Sequence, residues 1–334
     1  MQPPPQDSIV IDQPSNKVHA RTIEKLKRDL GHVFLGALDD PKTIEILLNA
    51  DGVLWQERLG EGMKVIGQMR AAQARAVIET VAGFHNYVVT ADRPLCEAEF
   101  PIDGSRFAGQ LPPVVSSPTF AIRKKASAVF TLDEYVADGI MTAEQKDAIA
   151  KAVAAHRNIL VIGGTGSGKT TMTNAVILQM VDCNPVERMI LIEDTAEIQC
   201  KARNFVQFHT TLSVDMTMLL RTSLRMRPDR ILVGEVRGKE ALDLIMAWNT
   251  GHEGGVATIH ANNAIAALGR LKTLVSMHRD APADIEPLIA EAVHVVVHIT
   301  KTEKTPGCPK GRRVAEIITV QGYENGAYSI AQIH

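Results

Sequence analysis

Ile159-Leu160-Val161-Ile162-Gly163-Gly164-Thr165-Gly166-Ser167-Gly168-Lys169-Thr170-Thr171-Met172 runs from an apolar strand-like segment through a glycine-rich loop into a helix-like segment. Residues 163–170 complete the pattern G-x-x-x-x-G-K-[ST]. The flanking segments supply the physical reason for it, because backbone N–H groups wrap a phosphate where a strand hands over to a helix N-terminus. Gly163, Gly164, Thr165, Gly166, Ser167, Gly168, Lys169, Thr170 and Thr171 are therefore the expected nucleotide contacts. Lys169 is expected to reach the β and γ phosphates of ATP, and Thr170 to place its hydroxyl on Mg²⁺. A glycine turn matching by chance would not explain the apolar run before it and the helical run after it.

Outward from this loop the pattern repeats. Strands are expected at 158–162, 188–193, 205–208, 231–235 and 255–259, with helices at 169–182, 214–226, 239–249 and 263–276. The strands are rich in Ile, Leu and Val without strict alternation, which predicts burial on both faces and a largely parallel α/β sheet. Strands 293–299, 313–320 and 327–333 follow, the last two joined by a Glu-Asn-Gly turn.

In a parallel sheet the carboxyl ends of the strands share one edge. Glu193 and Glu235 each end an apolar strand and should converge on the loop, one holding metal and the other water, with the residues alone not saying which. His260 ends a third apolar strand, where it could contact a γ-phosphate or merely cap the next helix. Arg221, Arg225, Arg227 and Arg230 cluster ahead of Glu235, and most read as structural.

The first part of the chain reads differently. Residues 1–18 are polar and proline-rich, the composition of a disordered tail. A helix over 20–38, a short helix over 41–48, strand-like material around Val53 and Trp55, a helix over 67–85, an alternating strand over 95–102 and strands near 106 and 119–123 make a small α+β domain over 19–125. A linker region over 126–140 leads to the second domain, 141–334. Thr131 with Glu134, and Thr142 with Gln145, carry capping-box spacing.

Composition bounds the partners. With 36 basic and 38 acidic residues the net charge is -2, so no global field favours nucleic acid or an anionic membrane. Four cysteines without C-x-x-C spacing read as reduced thiols. No stretch reaches the ~18 apolar residues of a membrane span, which points to the cytoplasm with at most peripheral membrane contact.

The loop, the segment Ile192-Glu193-Asp194-Thr195-Ala196-Glu197, the run from Leu224 to Arg237 and the run from Gly254 to Asn262 together resemble the Walker A, Asp box, Walker B and His box of the secretion ATPases of type II and type IV systems. The likeness covers residues 20–334 and is nearest to conjugal-transfer members. It implies a RecA-like P-loop ATPase core with a smaller N-terminal PAS-like α+β domain, assembled as a homohexamer at the cytoplasmic face of the inner membrane with type IV secretion channel components. It implies Mg-dependent ATP hydrolysis that powers conjugative plasmid transfer, secretion or pilus assembly. It also implies catalytic roles for Lys169, Glu193 at the attacking water, Glu235 near the metal with Thr170, and His260 as nucleotide sensor, with Arg106 and Arg123 completing the site from the N-terminal domain. One departure stands out: the Walker B run ends in Gly234-Glu235 rather than Asp. A DNA translocase or helicase would share this core, but the chain offers no basic stripe interleaved with aromatics.

Overall fold

The structure is a computed structural model that describes residues 15–59, 61–125, 129–211 and 213–333. The chain divides into two compact units, Met1–Ser127 and Ala128–His334. Most of the expected disordered tail, and residues 126–128 of the expected linker, lie outside the described residues.

The first unit opens with α1 (Ser15–Asp39), which is kinked at Gly31, where φ is 77°. Leu26, Leu30, Phe34 and Leu38, spaced by four, are its buried stripe. Strands β1 (Thr43–Leu48), β2 (Val53–Arg58) and β3 (Gly62–Gln68) follow, then α2 (Ala71–Phe84), β4 (Leu95–Glu99), β5 (Arg106–Gln110) and β6 (Thr119–Arg123). They form a six-stranded sheet in the order β3-β2-β1-β6-β5-β4, antiparallel throughout.

The short helix expected at 41–48 is thus the strand β1. Thr43, Ile44 and Ile46 are β-branched and favour the pleated backbone, and pairing on both sides with β2 and β6 decides the matter. The start of the helix expected over 67–85 likewise belongs to β3, and α2 begins at Ala71. Phe34, Phe100, Phe107 and Phe120 meet at the centre of this unit.

The second unit begins with α3 (Leu132–Ala137) and α4 (Ala143–Ala154), each with a complete capping box on Thr131 and Thr142. The elements that follow are β7 (Ile159–Ile162), α5 (Lys169–Cys183), β8 (Met189–Glu193), β9 (Phe205–His209), α6 (Met216–Ser223), β10 (Arg230–Val233), α7 (Glu240–Trp248), β11 (Val256–Ile259), α8 (Ala264–Ser276), α9 (Ile285–Ala292), β12 (Val295–Lys301), β13 (Arg312–Glu324) and β14 (Ala327–Ile333). Helix α9 has no counterpart in the sequence reading. Pro287 breaks the apolar pattern there, yet it lies in the first turn, where its missing N–H is no loss.

The sheet order is β14-β13-β12-β7-β11-β10-β8-β9. Strands β12 through β9 are parallel, and β13 and β14 close one edge antiparallel. Alternate residues of β7 enter two separate cores: Leu160 and Ile162 pack with α6 to α9, and Ile159 and Val161 with α3 to α5. Burial on both faces is why these strands carry no polar alternation.

Two polar clusters bind the amino edge of this sheet. Fully buried Asn158 takes the N–H groups of Gly254 and Gly255 on its Oδ1, gives its amide to the Ala292 carbonyl, and donates its backbone N–H to His294 Nδ1. Fully buried Arg230 pairs with Glu187 and donates to the carbonyls of Gly254 and Val153. One of the clustered arginines is therefore a structural tie.

Candidate active site

Strand β7 delivers the chain to the middle of the carboxyl edge, and the loop of residues 163–168 leads from it into α5. Gly166 and Gly168 have φ of 67° and 105°, which an L side chain adopts only with strain. A methyl group on Gly163 would overlap the Ile299 carbonyl and stand 2.6 Å from Ser167 Oγ. The Ser167 hydroxyl is buried without a hydrogen-bond partner among the described residues. A buried polar atom in a loop of exposed amides fits a polar ligand.

Lys169, 9% exposed, opens α5. Its ammonium donates to the carbonyls of Gly163 at 3.0 Å and Gly164 at 3.1 Å, and stands 3.3 and 3.4 Å from the two ring nitrogens of His260. His260 Nε2 lies 2.8 Å from Glu235 Oε1, within ion-pair range though not aligned as a hydrogen bond. Arg237 donates to Glu235 and, at 3.1 Å, to Asp194. A chain of polar contacts thus runs from the phosphate loop across the ends of β11, β10 and β8, as parallel strands dictate. Burial, then the neighbouring Lys169 charge, holds the pKa of His260 below its ordinary value, against the pull of Glu235. That shift favours the neutral ring, which can accept or relay a hydrogen bond.

Glu193 is placed differently from Glu235. At 3% exposure, its Oε1 accepts the N–H groups of Glu197 at 3.1 Å and Ile198 at 2.9 Å, and its Oε2 accepts the Gln207 amide at 2.7 Å. Burial raises its pKa, and those hydrogen bonds oppose the shift without cancelling it. Both oxygens are engaged in bracing the turn after β8. That turn carries Glu197, whose Oε2 lies 3.4 Å from the Thr170 hydroxyl. Arg237, two residues past the end of β10, ties the ends of β10 and β8 together, and Glu197 is the residue whose role the sequence alone does not assign. Its signal in the sequence is its place at the end of the acidic segment 192–197, four residues after the strand end.

Arg106 and Arg123 belong to the first unit, where they are direct cross-strand partners on β5 and β6. Arg123 also stands opposite Glu45 on β1. Among the described residues no group of three or more His, Cys, Asp or Glu side chains could cage a metal. A hydroxyl and one or two carboxylates suit Mg²⁺, which keeps waters and phosphate oxygens as its other ligands.

A buried parallel strand, a glycine loop with a lysine at the helix start and acids on neighbouring strand ends define a nucleotide-site architecture, and the chain belongs to the type II/IV secretion system protein family, whose model matches residues 33–330. It is similar to the conjugal transfer protein TrbB of Rhizobium radiobacter, with 47% identity over 310 residues that cover 93% of this chain and 94% of that protein. It is also similar to the type IV secretion system protein PtlH of Bordetella pertussis, with 33% identity over 82% of this chain and 89% of that one. Among solved structures, the pilus retraction motor PilT with bound ADP matches at a TM-score of 0.61 over 90% of this chain and 82% of that chain. At 19% identity that likeness speaks to the fold alone. The resemblance read from the motifs and these relatives agree on a secretion ATPase of the conjugal-transfer type. Among the described residues no helix is long and apolar enough to cross a membrane.

Proposed function

We propose that this ATPase hydrolyses ATP with Mg²⁺ on a RecA-like P-loop core that follows a PAS-like domain in the chain, and works as a ring of six that powers type IV secretion in conjugative transfer. The observation that carries the reading is the contact chain Lys169, His260, Glu235, Arg237 and Asp194, which lines up a cation, an imidazole and a carboxylate beside a glycine cradle.

Hydrolysis of the γ-phosphate spreads negative charge over its oxygens, and catalysis is chiefly positioning and charge stabilisation. Lys169 exchanges the loop carbonyls for phosphate oxygens, while the loop amides and the N-terminus of α5 hold the β-phosphate. Thr170 and Glu235 would hold Mg²⁺, which would supply neutralisation of the charge that develops on the phosphates. Glu235, flanked by Arg237 and His260, orients the attacking water, and His260 senses whether a γ-phosphate draws Lys169 away from it. We assign Glu193 to positioning, through the turn that brings Glu197 to Thr170. Arg106 and Arg123 are the proposed arginine donors from the N-terminal domain, as in the family resemblance.

The reading places the protein in the cytoplasm, at the inner membrane with channel components. Phosphate release by the purified chain, followed with and without a magnesium chelator alongside particle mass, tests the reading. Turnover lost on chelation and a particle of six chains are expected. Tight nucleotide binding with no turnover even beside membrane and channel partners would reduce the protein to a scaffold. Turnover driven by single-stranded DNA would make it a translocase.

A further inference from the structure

The polar chain described above lies entirely on one side of the phosphate loop, toward β11, β10 and β8. On the other side stand β12 and β13, and their ends hold two cations against the same loop. A methyl group built on Gly166 would be 3.1 Å from Lys301 Nζ, and one on Gly168 would be 3.6 Å from Arg312 Nη1. Lys301 is the last residue of β12 and Arg312 the first of β13, and they are direct cross-strand partners. Like charges placed directly opposite destabilise a strand pair. Among the described residues neither forms an ion pair with a carboxylate.

The pair is also held in place. The connection over 302–311 is fastened to the region of α3 by an ion pair between Lys310 and Asp138 at 3.6 Å and by close approach of Gly307 to Gly139. Val314 N–H donates to the Ile140 carbonyl at 2.7 Å at the base of the same hairpin. Two facing cations without a carboxylate partner, on an anchored hairpin beside a loop built for phosphate, are a local conflict of the kind that function retains.

We infer that Lys301 and Arg312 bind the nucleoside-proximal end of the nucleotide, its α-phosphate and ribose. The inference rests on the nucleotide site proposed above. With the γ-phosphate on the side of Glu235 and His260, a nucleotide lying across the loop carries its α-phosphate over the side of β12. Charges at that end contact ATP and ADP alike and are the same in the ground and transition states. They set affinity and leave the chemical step alone.

The test uses the full chain with Lys301→Ala, Arg312→Ala and Lys301→Arg, measuring ADP binding by calorimetry and ATP turnover at steady state. Each alanine variant should weaken ADP and raise the KM for ATP by about tenfold, the worth of one charge-assisted contact, with kcat unchanged. Lys301→Arg should retain wild-type affinity. Unchanged ADP affinity in both alanine variants would overturn the proposal, as would a fall in kcat at constant KM. Wild-type protein that binds no ADP would instead overturn the underlying nucleotide site, and this inference with it. Removing one of two facing like charges relieves repulsion, so the alanine variants should fold.

Discussion

The two flanks of the phosphate loop differ in how their charges are balanced. On the flank of β11, β10 and β8, each side chain meets a partner of opposite charge or a hydrogen-bonding group, from Lys169 through His260 and Glu235 to Arg237 and Asp194. On the flank of β12 and β13, Lys301 and Arg312 face each other. A balanced network can exchange partners while chemistry proceeds, at little electrostatic cost. A pair of facing cations favours an anion bound between them. This difference matches the roles proposed above, reaction on the first flank and retention on the second.

The largest effect that would break this division lies at the loop itself. Lys169→Ala should lower turnover by about a thousandfold, through loss of a cation at the transferring phosphoryl group. Normal phosphate release by that variant would remove the reacting flank altogether. Glu235→Gln should cut kcat by about a hundredfold, with ADP affinity retained. Single-turnover phosphate release beside a binding titration checks it.

Glu193→Gln separates two roles for a residue on the same flank. A side chain that acts through its turn should cost about tenfold in kcat, together with a lower melting temperature from the broken Gln207 contact. A loss as deep as that of Lys169→Ala, with the melting temperature unmoved, would return Glu193 to the attacking water. On the opposite flank, the change in Lys301→Ala should fall wholly in KM, the signature by which the two sides are told apart.

The smallest expected effect concerns pH. Burial holds His294 and His298 below the ordinary histidine pKa. Near His294 stand Arg157, which deepens the shift, and Glu253, which opposes it, while Glu316 opposes the shift of His298. The unfolded chain therefore takes up more protons below about pH 6.5. Stability should be complete above that value and fall as the solution is acidified toward the depressed folded pKa values. Melting curves from pH 8 to 5.5 check the slope, which His294→Asn should flatten.

Much of the reacting flank is legible in the sequence because its signals are local. Apolar runs buried on both faces mark the parallel strands, and a parallel sheet sends Glu193, Glu235 and His260 to one edge. What the strand ends do not encode is direction: Glu193 turns into its own loop and Glu235 toward the histidine, a difference set by the residues after each strand. In the first unit, β3 is largely exposed and lacks a burial period that would separate its end from the helix after it. The local composition of 41–48 suits helix or strand, and pairing with β2 and β6 settles it. Lys301 and Arg312 leave no trace in sequence, since the loop they border is most of a domain away along the chain.

Asn158 gives the sheet a mechanical character. Its hydrogen bonds grip the segments leading into β11 and β12 where β7 begins, so the central strand resembles a cantilever, fixed at its root and ending in a glycine-rich tip. A ligand that displaces the tip would therefore push against a strand braced at its far end, with the loops after β11 and β12 as its nearest neighbours.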